Sequence, residues 1–86
     1  MKHNYFIIIP PRIRKDNRIT PFEKLLYGEI KALSNGKGYC DATNNYFAEV
    51  YDTGIRTVQR ALKSLEKHEY VKIVHFNRWR QLRHTE

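Results

Sequence analysis

Arg56, Gln59 and Arg60 are the side chains of this sequence best suited to chemistry, and the chemistry is recognition rather than reaction. A guanidinium can pair with guanine through two contacts at once and a glutamine amide can do the same with adenine, each good pair carrying roughly 1–3 kcal/mol of discrimination. All three stand in a segment where Val58, Ala61, Leu62 and Leu65 recur at helical spacing, with Arg56, Arg60, Lys63 and Lys67 on the opposite side. The apolar stripe must be buried. A helix anchored on one face and cationic on the other has the shape and charge that the DNA major groove accepts.

Other residues join these three as candidates. Arg56 and Arg60 could instead touch phosphates alone, since half or more of protein–DNA hydrogen bonds go to the backbone. Lys63 is the clearer phosphate contact, and Thr57 either caps the helix or meets phosphate. Asn44 and Asn45 open the preceding helix, where backbone amides and side chains can hold phosphate and where plain capping is the alternative. Arg78, Trp79 and Arg80 are expected at or near the tip of a hairpin, reaching the minor groove or the backbone. The Trp79 indole packs this hairpin onto the domain, stacks on a sugar or base, or lies in a protein interface. Arg12, Arg14, Lys15 and Arg18 form either an arm for an adjacent groove or a solvated loop.

Catalysis finds little support. His3, His68, His75 and His84 are scattered, and with a lone Cys40 there is no zinc-ligand spacing. No phosphate-cradling glycine loop, nucleophile elbow or metal-binding carboxylate pair occurs. The expectation is a protein that is not an enzyme and takes no metal and no cofactor.

These side chains need elements to carry them. Tyr5 to Ile9 is a β-branched run stopped by Pro10-Pro11, a short strand or extended arm, and Arg12 to Arg18 reads as a loop. Thr20, Pro21 and Glu23 spell a capped helix start with a capping box. Phe22, Leu25, Leu26, Ile30 and Leu33 supply its buried face, and Ser34-Asn35-Gly36 ends it. GKGYC turns into a short extended piece before Thr43 or Asn44 caps the next helix, which faces Phe47, Val50 and Tyr51 inward and offers Ala48 for close approach. Asp-Thr-Gly makes a tight turn, at which Asp52 tolerates the left-handed conformation. After Lys67 the period changes: YVKIVHF is a strand, Asn77-Arg78 a turn, and Trp79 to Arg83 the returning strand.

Length and charge agree with this plan. With 86 residues the chain is one domain, and 41% apolar content with 13% aromatics argues for a folded globule. A mean hydropathy of −0.71 and the absence of a long apolar run exclude a membrane span. YFIIIPP is too short for a signal-peptide core, so a cytoplasmic protein is expected, and a single cysteine fits a reducing compartment. The net charge of +7 is segregated. Met1 to Ile19 has five cations and one anion, Thr20 to Gly54 three and five, and Ile55 to Glu86 eight and three, a distribution suited to a polyanion partner.

The run LLYGEIKALSNGKGYCDATNNYFAEVYDTGIRTVQRALKSLEKHEYVKI resembles the winged helix-turn-helix domains of replication-associated proteins from phages and plasmids of Gram-positive bacteria. The likeness covers Thr20 to about Ile73 and is most specific in LLY, GYC, NNYFAEVY and RTVQRALKSLEKHEYV. It implies an α+β, mostly α fold: a three-helix core (20–68) with a C-terminal β-hairpin wing (69–86) and a basic N-terminal strand or arm (1–19). It also implies binding to double-stranded DNA, as part of an initiator or as a small regulator. Asp52 stands where such motifs favour Gly and Thr53 where they favour an aliphatic residue, which admits a turn shifted by one residue with Ile55 supplying the missing apolar contact. Gly54 replaces the usual Ser or Thr cap.

The resulting expectation is sequence-specific duplex binding through a recognition helix at about 55–67 and a basic wing, in replication, plasmid transfer or transcription control of a mobile element. A repressor of its own operon is the alternative within that class. A homodimer on repeated sites and replication or transfer proteins are the further partners. From another class comes a winged-helix protein-interaction module, with Tyr5, Phe6, Phe76 and Trp79 as a subunit interface.

Overall fold

The computed structural model describes residues 6–85. Four helices, α1 (Pro11–Arg14), α2 (Pro21–Leu33), α3 (Asn44–Val50) and α4 (Ile55–Lys67), precede two strands, β1 (Val71–His75) and β2 (Arg80–His84). The result is a winged helix-turn-helix: α2, α3 and α4 enclose one core and the hairpin closes it. No described helix is long and apolar enough to cross a membrane.

Each boundary has a local cause. At α2 the Thr20 hydroxyl accepts from the Glu23 N–H and the Glu23 carboxylate accepts from the Thr20 N–H, both at 3.1 Å, so the expected capping box is complete. The buried face differs from expectation. Leu26, Tyr27 and Ile30 are fully buried, Phe22 and Leu33 only partly, and Leu25 is 42% exposed. Tyr27 meets Tyr70 and His84 edge to face, at 6.2 and 6.3 Å, while Ile7 and Ile9 lie over Gly28. Arm and hairpin therefore cover the Tyr27–Gly28 side and turn the core face away from Leu25. A Cβ at Gly28 would stand 2.1 Å from Ile7 Cγ2, so any larger residue pushes the arm off the helix.

Tyr5, where the N-terminal strand was expected to begin, lies outside the described residues, and Phe6 to Pro10 form an extended arm with no regular secondary structure. The loop expected over Arg12–Arg18 is corrected at its start. The Pro10 carbonyl accepts from the Ile13 and Arg14 amides at 3.0 and 2.9 Å, which makes α1, with Pro11 in its first turn. Ile13 is fully buried and Ile19 nearly so, which fastens this basic segment to the core. One helical turn presents a single apolar side chain inward, so no periodicity announces it.

Behind α1 the Asp16 carboxylate accepts from the Arg18 guanidinium at 2.7 and 2.9 Å and from the Tyr70 hydroxyl at 2.5 Å. These bonds, Arg18 first and Tyr70 second, hold the Asp16 carboxyl far below the usual carboxylate range. A folded-state pKa below the unfolded value of about 3.9 means stability that is present above pH ~4 and lost as the pH falls below it. Melting temperatures from pH 6 to 2 should therefore show the gap between wild type and Asp16→Asn narrowing as acid is added. A constant gap would refute the linkage.

Thr43, of the two caps open to α3, is the one used: its hydroxyl accepts from the Tyr46 N–H at 3.1 Å. Phe47 is fully buried, Val50 and Tyr51 partly so. The Tyr51 hydroxyl donates to the buried Glu29 carboxylate at 2.7 Å, joining α3 to α2, and burial followed by Glu29 pushes its pKa up. Asp52 takes φ +50°, with the Thr53 N–H on the Ala48 carbonyl at 2.9 Å and the Asp52 N–H on Glu49 at 3.3 Å. That is a Schellman ending with Asp in the position usually held by Gly. The turn is thus not shifted, and Ile55 supplies no core contact, being 44% exposed. Asp52→Gly should raise stability by about 1 kcal/mol in urea titrations, because glycine adopts this conformation without strain; a decrease would show that the carboxylate has a partner role.

Val58, Ala61, Leu62 and Leu65 of α4 are all buried, as their spacing requires. Glu69 (φ +64°) and the Tyr70 N–H on the Leu65 carbonyl end α4 with the same device. In the antiparallel hairpin Val71 pairs with His84, Ile73 with Leu82 and His75 with Arg80 on the face toward the helices. Lys72 with Arg83 and Val74 with Gln81 lie on the other face, where Lys72 and Arg83 are exposed and Gln81 is buried. The Phe76 N–H on the Trp79 carbonyl (2.8 Å) closes the hairpin around Asn77-Arg78. Cys40 bridges to Leu82 through two backbone hydrogen bonds of 2.9 and 2.7 Å, adding a third row to the sheet. Its thiol is buried and therefore pushed up in pKa, so it acts as a small apolar core group.

Candidate nucleic-acid interface

The stripe that buries Val58, Ala61, Leu62 and Leu65 turns Arg56, Gln59, Arg60 and Lys63 outward along α4. All four line one open groove of about 580 Å³ between α4 and the hairpin, whose far wall is Ile73, His75 and Arg80, with Asn44 at one end. Among the described residues, no hydrogen bond or ion pair ties down the side chains of Arg56, Gln59, Arg60 or Lys63. They are donors without an internal acceptor, set on a rigid helix. Glu66 is the one carboxylate at the groove wall among the described residues.

Arg80 behaves differently. Its Nη2 donates to the Asn44 side-chain oxygen at 2.7 Å and to the Ala42 carbonyl at 3.1 Å. Burial lowers its pKa, and the guanidinium is half withdrawn from solvent. Arg80 therefore fastens the base of β2 to the start of α3, and Asn44 spends its carbonyl oxygen on it. Beyond it, Arg78 is exposed at the hairpin end, while Trp79 is stacked on Phe76 (4.5 Å, 13°) and tilted on Tyr39 (6.0 Å). Thr57 and Asn45 are exposed but stand outside the groove.

The structure thus brings Arg56, Gln59, Arg60, Lys63, Asn44 and Arg80 to one surface and leaves Thr57, Asn45, Arg78 and Trp79 around it. Sequence reasoning missed His75, which lines the groove from β1. The alternation Val71, Ile73, His75 was the signal that could have found it. Of the arm cations, Arg12 lies over the Tyr70 ring at 5.3 Å and Arg18 is paired with Asp16, while Arg14 and Lys15 are exposed. Among the described residues no group of three His, Cys, Asp or Glu side chains is placed to hold a metal ion.

A family model described as a helix-turn-helix domain matches residues 17–71, which takes in α2, α3 and α4 and the first residue of β1. No curated protein and no solved structure matched the chain.

Proposed function

The chain belongs to the helix-turn-helix domain family, a family of DNA-binding domains, and from that premise we propose that it reads duplex DNA sequence-specifically with α4 in the major groove. The observation that carries this reading is the convergence of Arg56, Gln59, Arg60 and Lys63 on one groove, with none of their side chains hydrogen-bonded or ion-paired among the described residues. Arg56, Gln59 and Arg60 meet base edges, while Lys63, Thr57, Asn44 and Asn45 meet phosphates. The hairpin is the wing, with Arg78 at its tip beside the adjacent backbone or minor groove. Trp79 supports it there, and Arg80 positions it by holding it to α3.

The process served is replication, transfer or transcription control of a mobile element, supported by the likeness of Thr20 to Ile73 to the replication-associated domains of phages and plasmids. A homodimer on repeated sites fits that role, and repression of its own operon is the alternative within it. Fluorescence anisotropy on duplexes tiled across the protein's own gene neighbourhood tests the reading. One fragment bound at least ~10³-fold tighter than random duplex supports specific recognition. Its repeats then separate a repressor, on a palindrome at the promoter, from a replication or transfer factor, on direct repeats at an origin. Equal binding to all fragments with a steep salt slope would leave only a charge effect and overturn it.

A further inference from the structure

The side of the hairpin turned away from α4 carries a second arrangement, of which the duplex reading uses Trp79 alone, as a support for the wing tip. Phe76 and Trp79, opposite one another across the strand pair, stack face to face at 4.5 Å, and each remains 45% exposed. The Cys40 bridge sets Tyr39 beside them, its ring 6.0 Å from that of Trp79. Two cations stand at the Tyr39 end of the cluster: Lys37 Nζ is 5.3 Å and the Arg83 guanidinium 6.0 Å from the Tyr39 centroid. Lys72 faces Arg83 directly across the strands.

That last pair is informative. Like charges directly opposite on one face of a sheet destabilise it, and among the described residues Arg83 meets no acid there but the neutral Gln81 amide, at 2.6 and 3.0 Å. The carboxylate beside the cluster, Asp41, is taken up by Lys37 at 3.3 Å. A face with exposed, already stacked rings and cations beside them has the composition of a surface that stacks bases while its charges follow the phosphates. An aromatic face for a protein partner explains the rings and leaves the opposed cations without a role.

We propose that the outer face of the wing, Tyr39, Phe76 and Trp79 with Lys37, Lys72 and Arg83, binds an unpaired DNA strand by stacking its bases. Since α4 and these rings occupy opposite sides of the hairpin, a duplex and a single strand can be held together, as at the edge of an opened duplex. The choice of DNA over RNA rests on the duplex reading; the stacking surface itself does not.

Trp79 is the single tryptophan of the chain, so its fluorescence reports this face directly. The full chain should lose Trp79 emission when titrated with a mixed-sequence single-stranded DNA of about fifteen nucleotides. It should bind an abasic strand of the same length much more weakly. Phe76→Ala and, separately, Tyr39→Ala should weaken single-strand binding by roughly 5- to 150-fold and leave duplex affinity unchanged. Far-UV circular dichroism confirms that each variant is folded. Equal binding of the abasic strand overturns base stacking, tighter binding of the matching RNA overturns the assignment to DNA, and loss of duplex binding in step with single-strand binding overturns a separate face. Arg60→Ala in the same titrations isolates the duplex reading: if duplex binding is absent or insensitive to it while single-strand quenching persists, that reading fails and the platform stands.

Discussion

Arg60→Ala should cost the protein roughly 5- to 150-fold in affinity for its preferred duplex, the equivalent of ~1–3 kcal/mol, while its affinity for random duplex changes far less. Arg60 lies on the second turn of α4, exposed and without an internal acceptor, in the groove that also holds Arg56 and Gln59. Its burial cost on binding is met only if base or phosphate acceptors are there to receive it. Lys63→Ala is the comparison. Removing a cation that meets only phosphate should weaken all duplexes about equally and reduce the salt slope by about 1. Arg80→Ala should fall outside both patterns, because it removes the link from the wing to Asn44 and Ala42 and so lowers stability as well as binding. Competition anisotropy with specific and random duplex, at several salt concentrations, distinguishes the three. Unchanged specificity in both Arg56→Ala and Arg60→Ala would refute recognition by α4.

What was legible in the sequence was what is decided locally. The Thr20–Glu23 capping box, the buried stripe of α4 and the left-handed Asp52 are each written within a few residues, and the structure has them where the spacing placed them. The groove followed from that stripe, since the side chains opposite it had nowhere else to go. Decisions made at long range were not legible. Leu25 is exposed because the arm around Ile7 and Ile9 covers Gly28 instead, and Ile13 enters the core from a single helical turn. Arg80 is withdrawn by a partner 36 positions away. The split of the hairpin into a groove side and an aromatic side depends on the register His75↔Arg80 and on Cys40 pairing with Leu82. A shift of one residue would exchange the faces.

The largest effect on stability is expected at Phe47. It is fully buried on α3, with Tyr46 edge to face at 5.6 Å, and it packs in the same core as Leu62 and Leu65 of α4. At seven residues α3 is too short to be helical by itself, so the contact that holds it against α4 also keeps it folded. Phe47→Ala should cost ~3–5 kcal/mol, against a total of about 4–13 kcal/mol for a domain of this size. The melting temperature should therefore fall by more than about 12 °C in calorimetry or circular dichroism, and urea midpoints should move with it. Function should fail in a particular way. Loss of α3 takes away the Asp52 turn that sets the start of α4 and the Asn44 oxygen that holds Arg80, so α4 and wing lose their mutual geometry together. In the fraction that remains folded, duplex affinity should be near normal, since Phe47 touches no ligand; stabilising the variant with Asp52→Gly should restore binding in proportion to the folded population. A melting temperature within a few degrees of wild type would mean that α3 is not held by this side chain. Binding that stayed weak in fully folded variant protein would place Phe47 in recognition instead of in the core.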